Sequence, residues 1–189
     1  MFRWTSTIIN MKDFIVYINE KLKITKNILK QNQYNYYPKT KDELKELVSK
    51  LIEERGNEAD LNDINTSEIT DMSEVFKCTN FNGDISGWNV SNVTNMSEMF
   101  KDSSFNGKIS KWDVSEVEDM SFMFAGSKVN GDISKWDVSN VKDMSMMFYN
   151  CENFDKDISG WNLKSVQEFH SVFFNCLKLP KNYKPKFNK

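Results

Sequence analysis

The sequence predicts an α/β fold: a solenoid of ~24-residue units, short parallel strands alternating with short helices, behind an N-terminal helical cap. Three observations predict it. Trp88, Trp112, Trp136 and Trp161 are spaced by 24, 24 and 25 residues. The same apolar skeleton recurs around each: Ile109, Trp112, Val114, Val117, Met120, Met123, Phe124, then Val129 where other units carry Phe. Within a unit two periods alternate. Trp88 and Val90 are two apart, as on a strand; Val93, Met96, Met99 and Phe100 follow at three- and four-residue steps, as on a helix.

The elements follow in chain order. Residues 1–37 form a basic leader. Met11, Phe14, Ile15, Ile18 and Leu22 make a helical stripe that predicts an amphipathic helix packed on its own domain. Residues 1–40 carry seven basic side chains against Asp13 and Glu20, a charge of +5 within a chain whose net charge is -2. Such a leader can fold back on the acidic body or dock to an acidic partner. Residues 38–60 predict the cap helix. Thr40 and Glu43 form a capping box, Leu44, Leu47, Val48, Leu51 and Ile52 the buried stripe, and Gly56 a left-handed C-cap.

The repeats occupy residues 61–179. Asn82-Gly83 and Asn106-Gly107 read as turns at positive φ before each strand. The spacing Ile85-x-x-Trp88-x-Val90 is leucine-rich-repeat-like. Trp88, Trp112, Trp136 and Trp161, Met96, Met120 and Met144, and Phe100, Phe124 and Phe148 form the expected core ladder. Cys78, Cys151 and Cys176 each lie three residues before a loop hydrophobe, a position held elsewhere by Asp102 and Gly126, and predict reduced thiols at one turn. Residues 180–189 are a C-terminal tail. With Leu177 and Leu179, its Pro180, Tyr183 and Phe187 are expected to cover the last unit.

The strings D-I-S-G-W-N-V-S-N-V-T-N-M-S-E-M-F and D-I-S-K-W-D-V-S-N-V-K-D-M-S-M-M-F resemble the BspA-like, Mycoplasma-type leucine-rich repeat (the DUF285 repeat). The lead-in E-L-K-E-L-V-S-K-L-I-E-E-R-G-N-E-A-D-L-N-D-I resembles the cap that precedes such repeats, so the likeness spans about residues 38–180. The resemblance implies a non-enzymatic repeat module, often of surface proteins. Separately, the sixteen residues from Met11 resemble the opening of small proteins of gut bacteriophages. That makes Met11 a candidate start, and a structural or virion-packaged phage protein, docked through its leader, the second reading. No signal peptide, lipobox or membrane span is recognisable in the sequence. Location stays open between a cell surface, host cytoplasm and a phage particle.

For function, the polar strand face is the candidate. It presents Ser86, Asn89, Ser110, Lys111, Asp113, Ser134, Lys135, Asp137, Ser159 and Asn162 as a concave ladder for a protein or glycan ligand. No nucleic acid is expected. Catalysis, cofactor and metal are not expected either. His170 is the only histidine, so no His cluster can form, and no Ser-His-Asp triad is read around it. A calcium ladder of Asp84, Asp132 and Asp157 is interrupted by Lys108.

Overall fold

The computed structural model describes residues 16–23 and 34–187. They belong to two compact units, Met1–Asn35 and Tyr36–Lys189. In the first, residues 16–23 are helical (α1). Met11, Phe14 and Ile15 of the predicted stripe lie outside the described residues. Ile18 and Leu22 are exposed, at 39% and 53%. Among the described residues, no helix is long and apolar enough to cross a membrane.

The second unit begins at Tyr36, which pairs in parallel with Ile64. Helix α2 (Lys41–Arg55) starts where Thr40 Oγ1 accepts the Glu43 amide at 3.2 Å. The Glu43 carboxylate reaches back one residue further than a capping box requires, accepting the Lys39 amide at 2.7 Å. Leu44, Val48 and Leu51 are fully buried. Gly56 ends the helix at φ 88° and ψ 172°, a positive φ with an extended ψ rather than the expected left-handed helical cap. Arg55 holds this corner with paired 3.1 Å bonds to Asp63, which, ahead of the weaker Tyr36 contact, raise its pKa.

The expected α/β strand–helix solenoid does not form. Between Arg55 and Lys181 the chain holds no strand and no helix. Residues 60–176 instead wind through five coils of consecutive turns joined by single parallel bridges, as in Asp71, Asn95, Asp119, Asp143 and Glu168. The physical reason lies in the three-residue spacing. Trp88 donates to the Ile85 carbonyl at 3.1 Å, Val93 to Val90 at 3.0 Å and Met99 to Met96 at 3.2 Å. Each apolar i, i+3 pair therefore brackets a β-turn and points both ends inward. It mimics a helical or leucine-rich-repeat period without either structure.

The third side of each coil explains why no helix propagates. Glu74, Glu98, Phe122, Met146 and Ser171 have φ of 53–61°, and four residues later Cys78, Asp102, Gly126, Asn150 and Asn175 are again left-handed, at 53–68°. Left-handed residues at this frequency are incompatible with an α-helix. Between them, amides alternate in destination. Met96, Glu98, Phe100 and Asp102 donate to the next coil at 2.7–2.9 Å, while Met99, Lys101 and Ser103 close turns within their own. The backbone is satisfied without a ladder of strands.

The core runs along the stack. Phe76, Phe100, Phe124 and Phe148 stack at 5.4–5.7 Å. Met96, Met120 and Met144 are buried beside them. The four indoles are buried too, and each satisfies its N–H on the preceding coil: Trp88 on Leu61 O, Trp112 on Ile85 O, Trp136 on Ile109 O and Trp161 on Ile133 O, at 3.0–3.3 Å. Indole thus stitches coils as well as filling them.

Two sequence expectations fail on register. Gly83 and Gly107 are not at positive φ. Gly83 is needed because the previous coil passes so close that a Cβ would lie 2.0 Å from Ala59 O. Nor do the three cysteines share a position. Cys78 is exposed in the left-handed slot, whereas Cys151 and Cys176 are buried one slot later, where other coils carry Thr79, Ser103 and Ser127. An extra residue before Phe154, and another before Leu179, produced the false alignment. All three thiols are free. Cys151 and Cys176 donate to the carbonyls of Phe124 and Phe148 in the coils beneath, and the neighbouring Cys176, then burial, push the Cys151 thiol up.

At the C-terminus Leu179 is buried and Phe187 stacks on Phe169 at 4.7 Å. Leu177 is 75% exposed, and Pro180 is exposed, so neither covers the last coil.

Candidate recognition groove

The ten ladder residues all reach the surface, with Ser86 and Ser134 half-buried and the other eight exposed. They lie beside turns, not along a strand, and four of the ten side chains, Asn89, Asp113, Asp137 and Asn162, accept backbone amides there. The Oδ1 of Asn89 accepts the amide and hydroxyl of Ser91; Asp113 does the same for Ser115. Asp137 accepts the Ser139 amide at 3.0 Å and Asn162 the Lys164 amide at 3.3 Å. Ser86, Ser134 and Ser159 donate their amides to Asp84, Asp132 and Asp157. These are Asx-turns, and the unit Asx-apolar-Ser-x-apolar is the local code for each corner of the coil. Asp84 and Asp132 are held below the usual carboxylate range, first by the amides of Ser86 and Ser134; Asp137 is held down first by the Ser139 hydroxyl. Ser134, Lys135 and Ser159 border a depression of about 490 Å³.

A larger groove, about 740 Å³, crosses all five coils on another side. Its two rows come from the residues flanking each loop hydrophobe. Asn80, Ser104, Lys128, Asn153 and Lys178 form one; Asn57, Asn82, Asn106, Asn130 and Asp155 form the other, with Glu58 at the N-terminal end. The second row is a hydrogen-bonded ladder. Asn106, Asn130 and Asp155 donate their amides to the Oδ1 atoms of Asn82, Asn106 and Asn130 at 2.7–3.1 Å. This fixes each side-chain amide with Oδ1 turned along the stack. The Nδ2 of Asn82 faces Glu58 at 3.5 Å. Those of Asn106 and Asn130 form no hydrogen bond among the described residues. Lys178 donates to Asn153 Oδ1 at 3.2 Å, and Asp155 is paired with Lys156 at 2.6 Å.

Sequence reasoning missed this groove although its signal was present. An Asn or Asp follows the loop hydrophobe in Phe81-Asn82, Phe105-Asn106, Val129-Asn130 and Phe154-Asp155. In the sequence alone the Asn-Gly pairs fit turn chemistry.

The repeat that builds both surfaces matches a family model, described as "Mycoplasma protein of unknown function, DUF285", over residues 43–129 and again over 101–187. The chain belongs to the DUF285 family. No curated protein and no solved structure matched it. The two DUF285 matches overlap over residues 101–129, the end of the second coil and most of the third, and together they take in most of α2, all five coils and most of the tail. Both the corner code and the groove are therefore properties of the segment that the family model describes.

Proposed function

We propose that this DUF285 protein is a non-catalytic recognition module that binds an extended polymer, protein or glycan, along the asparagine-lined groove. One observation carries the reading: polar side chains recur in register at every coil of a single groove, leaving amide donors of Asn106 and Asn130 unspent. Repetition at a spacing of ~4.8 Å suits a ligand that itself extends and repeats. The predicted ladder is a weaker candidate, because its carboxylates and amides already cap turns. Catalysis finds no support in the groove's carboxylates. Glu58 and Asp155 stand four coils apart, about 19 Å, beyond the ~5–9.5 Å of a working carboxylate pair.

The test is to probe glycan and peptide arrays with the full chain and with Asn80→Trp and Lys128→Trp, which fill the groove from exposed positions. Binding lost in both variants, with unchanged melting, is the expected result. A ligand indifferent to these changes but lost in Lys111→Glu or Lys135→Glu would move the site to the ladder.

A further inference from the structure

Resting on that reading of the groove, we infer that its ligand is an anionic polysaccharide, engaged at the C-terminal half by Lys128 and Lys178 with Asn106 and Asn130 as neutral donors. Four features of the groove lead there. First, no apolar or aromatic side chain lines it. Protein partners are held by buried aromatic and aliphatic anchors in pockets, and single-stranded nucleic acid by aromatic platforms. A wholly polar lining offers neither, but does match a chain of hydroxyls and oxyanions. Second, the C-terminal half of the groove holds unspent donors. Among the described residues the ammonium of Lys128 has no ion pair or hydrogen bond, and Asn106 and Asn130, whose Nδ2 atoms are likewise unbonded there, lie on the adjoining row.

Third, the charges are distributed unevenly. The acidic groups of the groove are Glu58 at the far end, facing Asn82, and Asp155, tied to Lys156. With Asp155 neutralised, the half holding Lys128 and Lys178 is positive, and a neutral glycan would leave that charge unused. Fourth, Lys128 and Lys178 occupy the same row two coils apart, with Asn153 between them. Their separation along the stack is about 10 Å, so they address oxyanions set at intervals along a chain rather than one isolated anion. Two lysines partly offset by acids are also too few for the dense phosphate backbone of a duplex.

Titration calorimetry on the full chain, at low and high salt, tests this with a polygalacturonate oligomer, a malto-oligosaccharide of equal length, poly-glutamate and a single-stranded oligonucleotide. The uronate oligomer is expected to bind, more weakly as salt rises, and Lys128→Gln to weaken it about fivefold or more without changing melting. Lys164→Gln, an exposed change outside the groove, is expected to leave binding intact. Tighter binding of the malto-oligosaccharide, poly-glutamate or the oligonucleotide, lost on Asn80→Trp, would overturn the anionic-sugar assignment and keep the groove as a recognition site. If none of the four probes binds, or the uronate binds equally well to Asn80→Trp and Lys128→Gln, the assignment falls; array binding that also ignores both groove-filling variants removes the groove itself.

Discussion

The middle coils and the last one share a pattern but not a fate. In coils two to four, Val93, Val117 and Val141, and Met96, Met120 and Met144, are at most 1% exposed. In the last coil the corresponding Val166 and Phe169 are only half-buried, and Phe174 is 57% exposed. Glu168 stands where other coils place Asp or Asn at the third corner, and no amide bond closes an Asx-turn there. A middle coil exchanges amide bonds with a neighbouring coil on each side. The last one receives Met144, Met146, Phe148 and Asn150, and has only the tail on its far side. Cohesion therefore resides between coils more than within them, the nearest-neighbour energetics of a stacked array.

The largest effect should come from cutting that cohesion in the middle. Trp112→Ala removes a buried indole and its bond to the Ile85 carbonyl, which then keeps only the Trp88 amide, and should cost about 3–5 kcal/mol. Phe169→Ala, at the half-buried end position against Phe187, should cost about 1–2 kcal/mol. Urea unfolding of both variants measures the contrast. Equal costs would mean that the last coil is as tightly coupled as the rest. A second pair sharpens the point at the backbone. Gly83→Ala drives a Cβ into Ala59 O and should cost about 1–3 kcal/mol, while at Gly160 a Cβ meets nothing within 4 Å and the same change should stay within about 0.5 kcal/mol. A tolerated Gly83→Ala would show that neighbouring coils have room to separate.

What was legible in the sequence followed from burial. Trp88, Met96 and Phe100 had to point inward because nothing else in a polar unit could form a core, and their period marked where coils stack. The secondary structure was not legible from that period, because an apolar pair three apart fits a helical turn and a β-turn equally well. The deciding residues were the polar ones between. Asp84 two before Ser86, Asn89 two before Ser91 and Asn95 two before Ser97 each signal a corner, yet in the sequence Ser86 and Asn89 read as a contact surface and Asp84 as part of an interrupted calcium ladder. Left-handed φ at Glu74, Phe122 or Met146 had no compositional mark, since these residues occupy that region only under tertiary constraint. The groove's mark, an Asn or Asp after each loop hydrophobe, was periodic and not local: a lateral hydrogen bond such as Asn130 to Asn106 joins residues 24 apart, so each Asn by itself fits a turn equally well.

Acid offers the smallest and most selective way to separate coils, because they differ in how many corners titrate. The fourth uses Asp132, Asp137 and Asp143, whereas the second uses Asp84 with Asn89 and Asn95. Asp132 and Asp137 are held below their ordinary pKa when folded. As pH falls past about 3.9, the unfolded chain takes up the proton first, so the stability these caps contribute is fully present above that value. It is lost as pH drops through the lower folded values. Asp137→Asn keeps the acceptor, as Asn89 and Asn162 do at the same corner, but removes the titration. The variant should match the parent's urea midpoint at pH 7 and exceed it below pH 4. A parallel loss in acid would mean that the carboxylate of Asp137 caps no better than its protonated form, and that the corner is held by the apolar pair Val138 and Val141 alone.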